Sequence, residues 1–277
     1  MIREGKQDNG KYTRYFRLGA TEVDLCNRLR LQALLGFFQE TAGDQCQEFG
    51  SGWADLWNKH GLCYVVVRLE VRMRRYPGTG ETVRIDTWPE NRLRMIFSRY
   101  GEIYDERGEL LGSIASQWAL LDVKARHFVR PTPEIVAMPD TSTLSAPFEL
   151  SKEHYRAGDN DDAADPCRPF AFDRAPVYSD FDYNRHMNNA RYAEWAADTL
   201  WRVLPDNDRA LDPHITRLDI KFRAEIPAAM AGKPISIAGN IWDNSRRFAF
   251  DGIARGDNAP DVVHFEVEGE YGVCSEK

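Results

Sequence analysis

The run Arg68-Leu-Glu-Val-Arg-Met-Arg74 recurs, type for type, as Arg217-Leu-Asp-Ile-Lys-Phe-Arg223, 149 residues later. Apolar and charged side chains alternate in both, the period of a strand with one buried face. Each run leads through a turn containing Pro and Gly to a second alternating segment, 82–88 and 234–242. Upstream of each, apolar residues recur at three- and four-residue steps, the spacing of an amphipathic helix. They are Leu31, Leu35, Phe38, Ala42, Cys46 and Phe49 in the first half, and Met187, Ala190, Ala193, Ala197, Leu200 and Leu204 in the second. Two further strands follow in each half, joined by turns at 105–108 and 256–260. The repeating unit is therefore a strand, a long helix and about four antiparallel strands, an α+β fold in which one sheet wraps one helix. A lone unit leaves a sheet edge open, so two units are expected to pair into one continuous sheet.

The expected organisation is a first unit at 1–137, a linker at 138–170 and a second unit at 171–277. The linker assignment rests on Pro139, Pro147, Pro166, Pro169 and the acidic tract 159–162. The chain has 277 residues, 43% of them hydrophobic and 29% charged, the balance of a globular protein with an ample core. A formal charge of −7 argues against general binding to nucleic acid or an anionic membrane surface. No apolar run is long enough for a membrane span, and the N-terminus reads as neither signal nor transit peptide. Cys26, Cys46, Cys63, Cys167 and Cys274 are odd in number and never spaced C-x-x-C. That pattern suits reduced thiols in a cytoplasm.

The second half carries Asp182-Tyr-Asn184-Arg-His186-Met-Asn188-Asn189 immediately before its helix. In an extended segment, Asp182, Asn184 and His186 at alternate positions would face one point. Asn188 and Asn189 sit where a helix N-cap belongs, so unpaired N–H groups are expected beside that cluster. Carboxylate, amide, imidazole and helix N-terminus suit a reaction that develops an oxyanion; the plainer alternative is a polar turn that caps a helix. Before its own helix the first half offers Val23-Asp24-Leu-Cys26-Asn27-Arg-Leu-Arg30, without histidine, and Tyr76 stands at the place of Glu225. Residues that served only the fold would be needed in both copies, which favours a functional role for the second set. Glu225 follows the strand ending near Ala224 and precedes Ile226-Pro227; partial desolvation there would suit a general base. The alternative is an ordinary turn glutamate.

The Asp-x-Asn-x-His-x-Asn-Asn segment and Phe222-Arg-Ala-Glu225 resemble the acyl-acyl-carrier-protein thioesterases of plant plastids and bacteria, along nearly the whole chain. The resemblance implies a tandem hotdog fold, with catalytic residues at Asp182, Asn184, His186 and Glu225. Plant members carry a cysteine after the glutamate, where this chain has Ile226, so a thiol mechanism is not expected. The implied reaction is hydrolysis of an acyl thioester to a fatty acid and a carrier thiol. Glu225 would activate water, His186 and Asn184 would position it or the carbonyl, and Asp182 would orient them. The helix N-terminus would hold the oxyanion. A carboxylate nucleophile at Asp182 or Glu225 is the alternative chemistry.

The absence of Gly-x-Ser-x-Gly disfavours a serine α/β-hydrolase. Without a Gly-rich phosphate loop, an H-x-x-x-H pair or clustered Cys and His, neither cofactor nor metal is expected. The competing readings are an acyl-CoA thioesterase of the single-hotdog type and a non-catalytic acyl-binding protein. The expected partner is an acyl carrier protein, with no nucleic acid, and the chain would act as a pseudo-dimeric monomer or a homodimer. Arg68, Arg72, Arg74, Arg75, Arg217, Lys221 and Arg223 form either a basic surface for that carrier or the solvated faces of two strands. Phe37, Phe38, Trp53 and Trp57 either line an acyl tunnel or pack the core.

Overall fold

The computed structural model describes residues 4–150, 165–256 and 259–273, and the chain divides into two compact units, Met1–Leu150 and Ser151–Lys277. The first contains β1 (Gly5–Lys6), β2 (Tyr12–Arg17), α1 (Leu31–Glu48), a single turn α2 (Trp53–Asp55) running into a π-helical turn, β3 (Leu62–Met73), β4 (Thr82–Pro89), β5 (Phe97–Tyr104), β6 (Leu110–Asp122) and β7 (His127–Val129). Its sheet is antiparallel in the order β1-β2-β4-β5-β6-β3, with β7 added beside the end of β6. The second unit contains β8 (Cys167–Arg174), α3 (Asn189–Val203), the short α4 (Asp206–Arg209), β9 (His214–Phe222), β10 (Ile235–Trp242), β11 (Arg247–Ala254) and β12 (Val262–Gly272). Its antiparallel order is β8-β10-β11-β12-β9, the same path that β2-β4-β5-β6-β3 takes in the first unit. Each unit is a hotdog, a sheet around one long helix.

The inner stripe of α1 is Leu31, Leu34, Leu35, Phe38, Thr41, Ala42 and Gln45; that of α3 is Ala190, Tyr192, Ala193, Trp195, Ala196, Thr199 and Leu200. Aligning the two N-caps, Arg30 and Asn188, puts Ala196 at the place of Phe38. The matching strand position is Gly101 on β5 and Phe250 on β11. A Cβ on Gly101 would come 2.8 Å from the Phe38 ring, so glycine is what admits that ring. In the second unit the bulk sits on the strand instead, and Phe250 packs edge to face on Phe265, their centroids 6.2 Å apart. The interior of each unit is thus filled from a different side. The first unit also buries a guanidinium: Arg99 donates to Gln45 Oε1 at 2.7 Å and to Thr87 Oγ1 at 3.3 Å. Gln45 lies in the last turn of α1, where the helix dipole favours a cation.

Of the segment expected as a linker, residues 138–150 belong to the first unit, where the buried Thr141 donates to the Pro89 carbonyl at 2.9 Å. The acidic tract 159–162 lies outside the described residues, as does Cys274, and β8 begins at Cys167. The basic strand residues are mostly neutralised by nearby carboxylates. Arg72 meets Glu70 at 2.8 Å, Arg217 meets Asp219 at 3.3 Å, Lys221 meets Glu268 at 3.0 Å and Arg223 meets Glu266 at 2.8 Å. A bare basic stripe is therefore not what these strands present. Phe38 is core, Phe37 stacks on Phe16 at 4.2 Å, and Trp53 and Trp57 stack on each other while a little over two-fifths exposed.

Candidate active site

The segment 182–186 is a tight turn, not the extended run that its alternation suggested. Asp182 N–H donates to the His186 carbonyl at 3.0 Å, and Arg185 N–H to the Asp182 carbonyl at 3.0 Å. The Asp182 carboxylate accepts from Asn184 N–H at 2.9 Å, the local bond that lets aspartate build turns. Arg185 takes the left-handed conformation, φ +62°. Phe181 then bridges to Met187. Asn188 caps α3, its Oδ1 accepting from Ala190 N–H at 2.9 Å, while its own N–H donates to the Asp180 carbonyl at 2.9 Å.

The chain leaving β9 pairs with this turn. Met187 N–H donates to the Ile226 carbonyl at 2.9 Å, Ala228 N–H to Arg185 at 2.8 Å, and His186 bridges to Pro227. That pairing brings Glu225 to His186, with Oε2 3.4 Å from Nε2 and both side chains about one-third exposed, at 32% and 35%. The pair is reachable by solvent and substrate, and its spacing allows a proton to pass through one water. Asn184 lies at the exposed turn, and among the described residues no hydrogen bond ties its side chain to the pair. The Asn189 N–H, the first of α3, likewise has no partner among the described residues.

The first unit builds the same turn, which corrects the expectation that it holds no equivalent of the Asp182 group. Asp24 N–H donates to Arg28, Asn27 N–H to Asp24, and the Asp24 carboxylate accepts from Cys26 and Arg28 N–H, each at 2.9 Å. Asn27 is left-handed at φ +57°, and Leu29 N–H donates to Pro77 as Met187 does to Ile226. Asp24 therefore matches Asp182, and this carboxylate serves the turn in both copies. The remaining positions differ: Cys26 stands for Asn184, Arg28 for His186 and Tyr76 for Glu225.

Tyr192, on the inner stripe of α3, is not singled out by the apolar spacing of that helix. Its ring packs edge to face on Phe222 and Phe265, 5.0 Å from each. Burial, then the charges of Glu225 and Asp182, push its phenol well above its ordinary pKa, so it stays neutral. The matching residue of α1 is Leu34. An asparagine cap followed four residues later by a tyrosine on the inner stripe was the available signal.

Among the described residues no group of three or more His, Cys, Asp or Glu could hold a metal ion, and no helix is long and apolar enough to cross a membrane. None of the four described cysteines is in a disulfide.

Residues 9–138 match the acyl-ACP thioesterase N-terminal domain and residues 170–252 the acyl-ACP thioesterase C-terminal domain. A chloroplastic acyl-acyl-carrier-protein hydrolase of Cuphea viscosissima is 25% identical over 201 residues, 68% of this chain and 47% of that protein. A chloroplastic oleoyl-acyl carrier protein thioesterase of Coriandrum sativum is 25% identical over 205 residues, 70% of this chain and 55% of the relative. The chain spans about half the length of the curated relatives it matches. Among solved structures, an acyl-ACP thioesterase from Bacteroides thetaiotaomicron superposes with a TM-score of 0.72 at 20% identity, covering 96% of this chain and 99% of its own. The 12:0-ACP thioesterase from Umbellularia californica superposes with a TM-score of 0.69 at 20% identity, covering 95% and 97%. These superpositions support the tandem hotdog fold. With its two halves matched in order by the two domains of one enzyme family, the chain belongs to the acyl-ACP thioesterases.

Proposed function

We propose that this chain hydrolyses the thioester of an acyl group carried on an acyl carrier protein, releasing a fatty acid, with His186 and Glu225 at the reaction centre. The observation that carries this reading is the 3.4 Å contact of imidazole and carboxylate in the second unit, where the first has Arg28 and Tyr76. The Glu225 carboxylate takes a proton from water as the water oxygen adds to the thioester carbonyl carbon. His186 Nε2 holds the carboxylate and its water in line. The tetrahedral oxyanion is met by the Asn189 N–H at the start of α3; one such donor is worth roughly 2.7–4 kcal/mol in other hydrolases. Asn184, at the open turn, is placed to reach the carbonyl or the water once substrate is bound. Collapse breaks the C–S bond, and the leaving thiolate takes back the proton held by Glu225. Asp182 acts through the turn that carries Asn184 and His186. The carrier protein as donor and the cytoplasm as compartment belong to the same proposal.

The test is thiol release from acyl carriers and from acyl-CoAs of matched chain length. Glu225→Gln should lower turnover at least about a hundredfold, as loss of a general base does, with an unchanged circular dichroism spectrum. Tyr76→Phe should be far milder. Near-normal turnover in a folded Glu225→Gln enzyme removes Glu225 from the reaction.

A further inference from the structure

The second unit buries another titratable side chain beside Glu225 that this mechanism does not use. His264 is 4% exposed and is the bulged residue of β12: Gly252 pairs with Phe265 and Ile253 with Val263, leaving His264 between. Its carbonyl accepts two N–H groups as the chain leaves β9, from Arg223 at 2.8 Å and Ala224 at 3.1 Å. Its Nδ1 lies 3.3 Å from the Ala224 carbonyl oxygen. His264 thus holds the two residues that lead into Glu225 through its carbonyl, and Ala224 a second time through its ring.

The first unit makes the same bulge without an imidazole. Ile103 pairs with Gly112 and Tyr104 with Leu110, leaving the fully buried Leu111 between. The Leu111 carbonyl accepts from Arg74 N–H at 2.8 Å and Arg75 N–H at 3.2 Å, as His264 does from Arg223 and Ala224. Leucine therefore satisfies the fold at this position. Histidine is the more costly occupant: its Nε2 is buried with no partner among the described residues, which costs stability. Burial also holds its pKa below the ordinary histidine value, so the ring stays neutral, with one N–H to give.

We infer that His264 is a positioning residue for the proposed reaction, its Nδ1–H donating to the Ala224 carbonyl and fixing the peptide that aims Glu225 at His186. This rests on the role proposed for Glu225. Three variants should be assayed together for kcat, KM and thermal midpoint: His264→Leu, His264→Asn and Glu225→Gln. His264→Leu should fold, as Leu111 does in the first unit, and lose about tenfold in kcat with KM little changed, the size of effect expected from a group acting through the base. His264→Asn, whose amide can donate to Ala224 from near the Nδ1 place, should recover most of that loss. A purely structural role would make kcat follow the thermal midpoint, without rescue by Asn. Wild-type kcat in His264→Leu, or equal losses in the Leu and Asn variants, overturns the inference. Should His264→Leu fail to fold, His264→Gln takes its place: its amide reaches the Nε2 place instead, so Asn should outpace Gln, and equal rates overturn the inference. An active Glu225→Gln enzyme removes the base itself, whereas an inactive one beside a normal His264→Leu enzyme refutes only the role of His264.

Discussion

The first unit lacks the polar set of the second, and a proposal that it lines the acyl pocket while the thioester reacts in the second unit can be tested at Phe38. This ring is fully buried on the inner face of α1 and lies against Gly101 so closely that a single added methyl would collide with it. Replacing it by alanine leaves a void that the sheet cannot close, because β5 is held between β4 and β6. Such truncations cost about 3–5 kcal/mol, and an apolar void of this kind stays dry and accepts apolar guests. If the acyl chain lies along the inner face of α1, Phe38→Ala should admit a longer chain. Each added methylene recovers about 0.8 kcal/mol, so three recover about 2.4 kcal/mol, or roughly fiftyfold in kcat/KM. The preferred chain should therefore lengthen by two to four carbons, with the shorter substrate losing ground. Arg99 and Gln45 bound the extension, since two turns beyond Phe38 the interior becomes polar. The assay is kcat/KM on saturated acyl carriers in two-carbon steps, with Phe248→Ala as the control. Phe248 is also buried, in the second unit, and its loss should destabilise without moving the preference. An unchanged profile in folded Phe38→Ala, or a shift produced by Phe248→Ala, refutes the placement of the acyl chain in the first unit.

Alkylation of the folded protein with a small reagent should leave most activity, because Ile226 and not a cysteine follows Glu225; stoichiometric inactivation prevented by substrate would contradict this. Asp24→Ala should cost about 1–3 kcal/mol in denaturant unfolding, through the loss of two charged hydrogen bonds, yet leave turnover of the folded enzyme near normal. Asp182→Ala should lower both stability and turnover, and equal turnover in the two variants would refute the link from this turn to catalysis. Burial, then the neighbouring Glu266, raise the Asp251 carboxyl to about 6. Its protonated form is favoured by folding, so its contribution is present below about pH 4 and lost as pH rises through 6. Asp251→Asn should match wild type at pH 4 and exceed it at pH 8 by about 1 kcal/mol, the full shift being discounted for partial exposure. No gain at pH 8 would show that Arg223 and Lys221 already compensate the charge.

The repeated strand pattern made the two sheets and two helices legible, because alternation and the three-to-four-residue stripe are both carried by side chains that must be buried. Glu225 emerged from the same comparison, since Tyr76 occupies its place at the strand offset of 149. The turn did not emerge, for a geometric reason. Between the turns and α-helices of the two units the offset is 158, as Asp24 and Asp182 show, so aligning on the strands hides the shared aspartate. The polar alternation of Asp182, Asn184 and His186 looked extended, yet an aspartate two residues before a backbone donor also signals a turn. His264 was hidden by a third offset. The chain between β9 and β12 is four residues longer than its counterpart, so only the paired bulges reveal Leu111 as its equivalent.

Those offsets locate where one unit departs from the other. At the turn and the bulge the main-chain hydrogen bonds are the same in both copies, whereas the helix start and the strand exit differ: Leu34 N–H reaches the Arg30 carbonyl where Arg191 N–H reaches that of Asn188, and Thr79 N–H meets the Asn27 side chain where Ala228 N–H meets the Arg185 carbonyl. The side chains at these sites differ together: Arg28, Leu34, Tyr76 and Leu111 in the first unit, His186, Tyr192, Glu225 and His264 in the second. A buried leucine replaced by a tyrosine or histidine would normally be destabilising, because each brings a polar atom into a dry site. Here the Ala224 carbonyl meets His264 Nδ1 at 3.3 Å, while Nε2 keeps no partner among the described residues. The same short stretch, Ala224 to Ile226, also carries the carboxylate and receives Met187 N–H. The polar side chains particular to the second unit thus gather at this one end, around the stretch that carries Glu225.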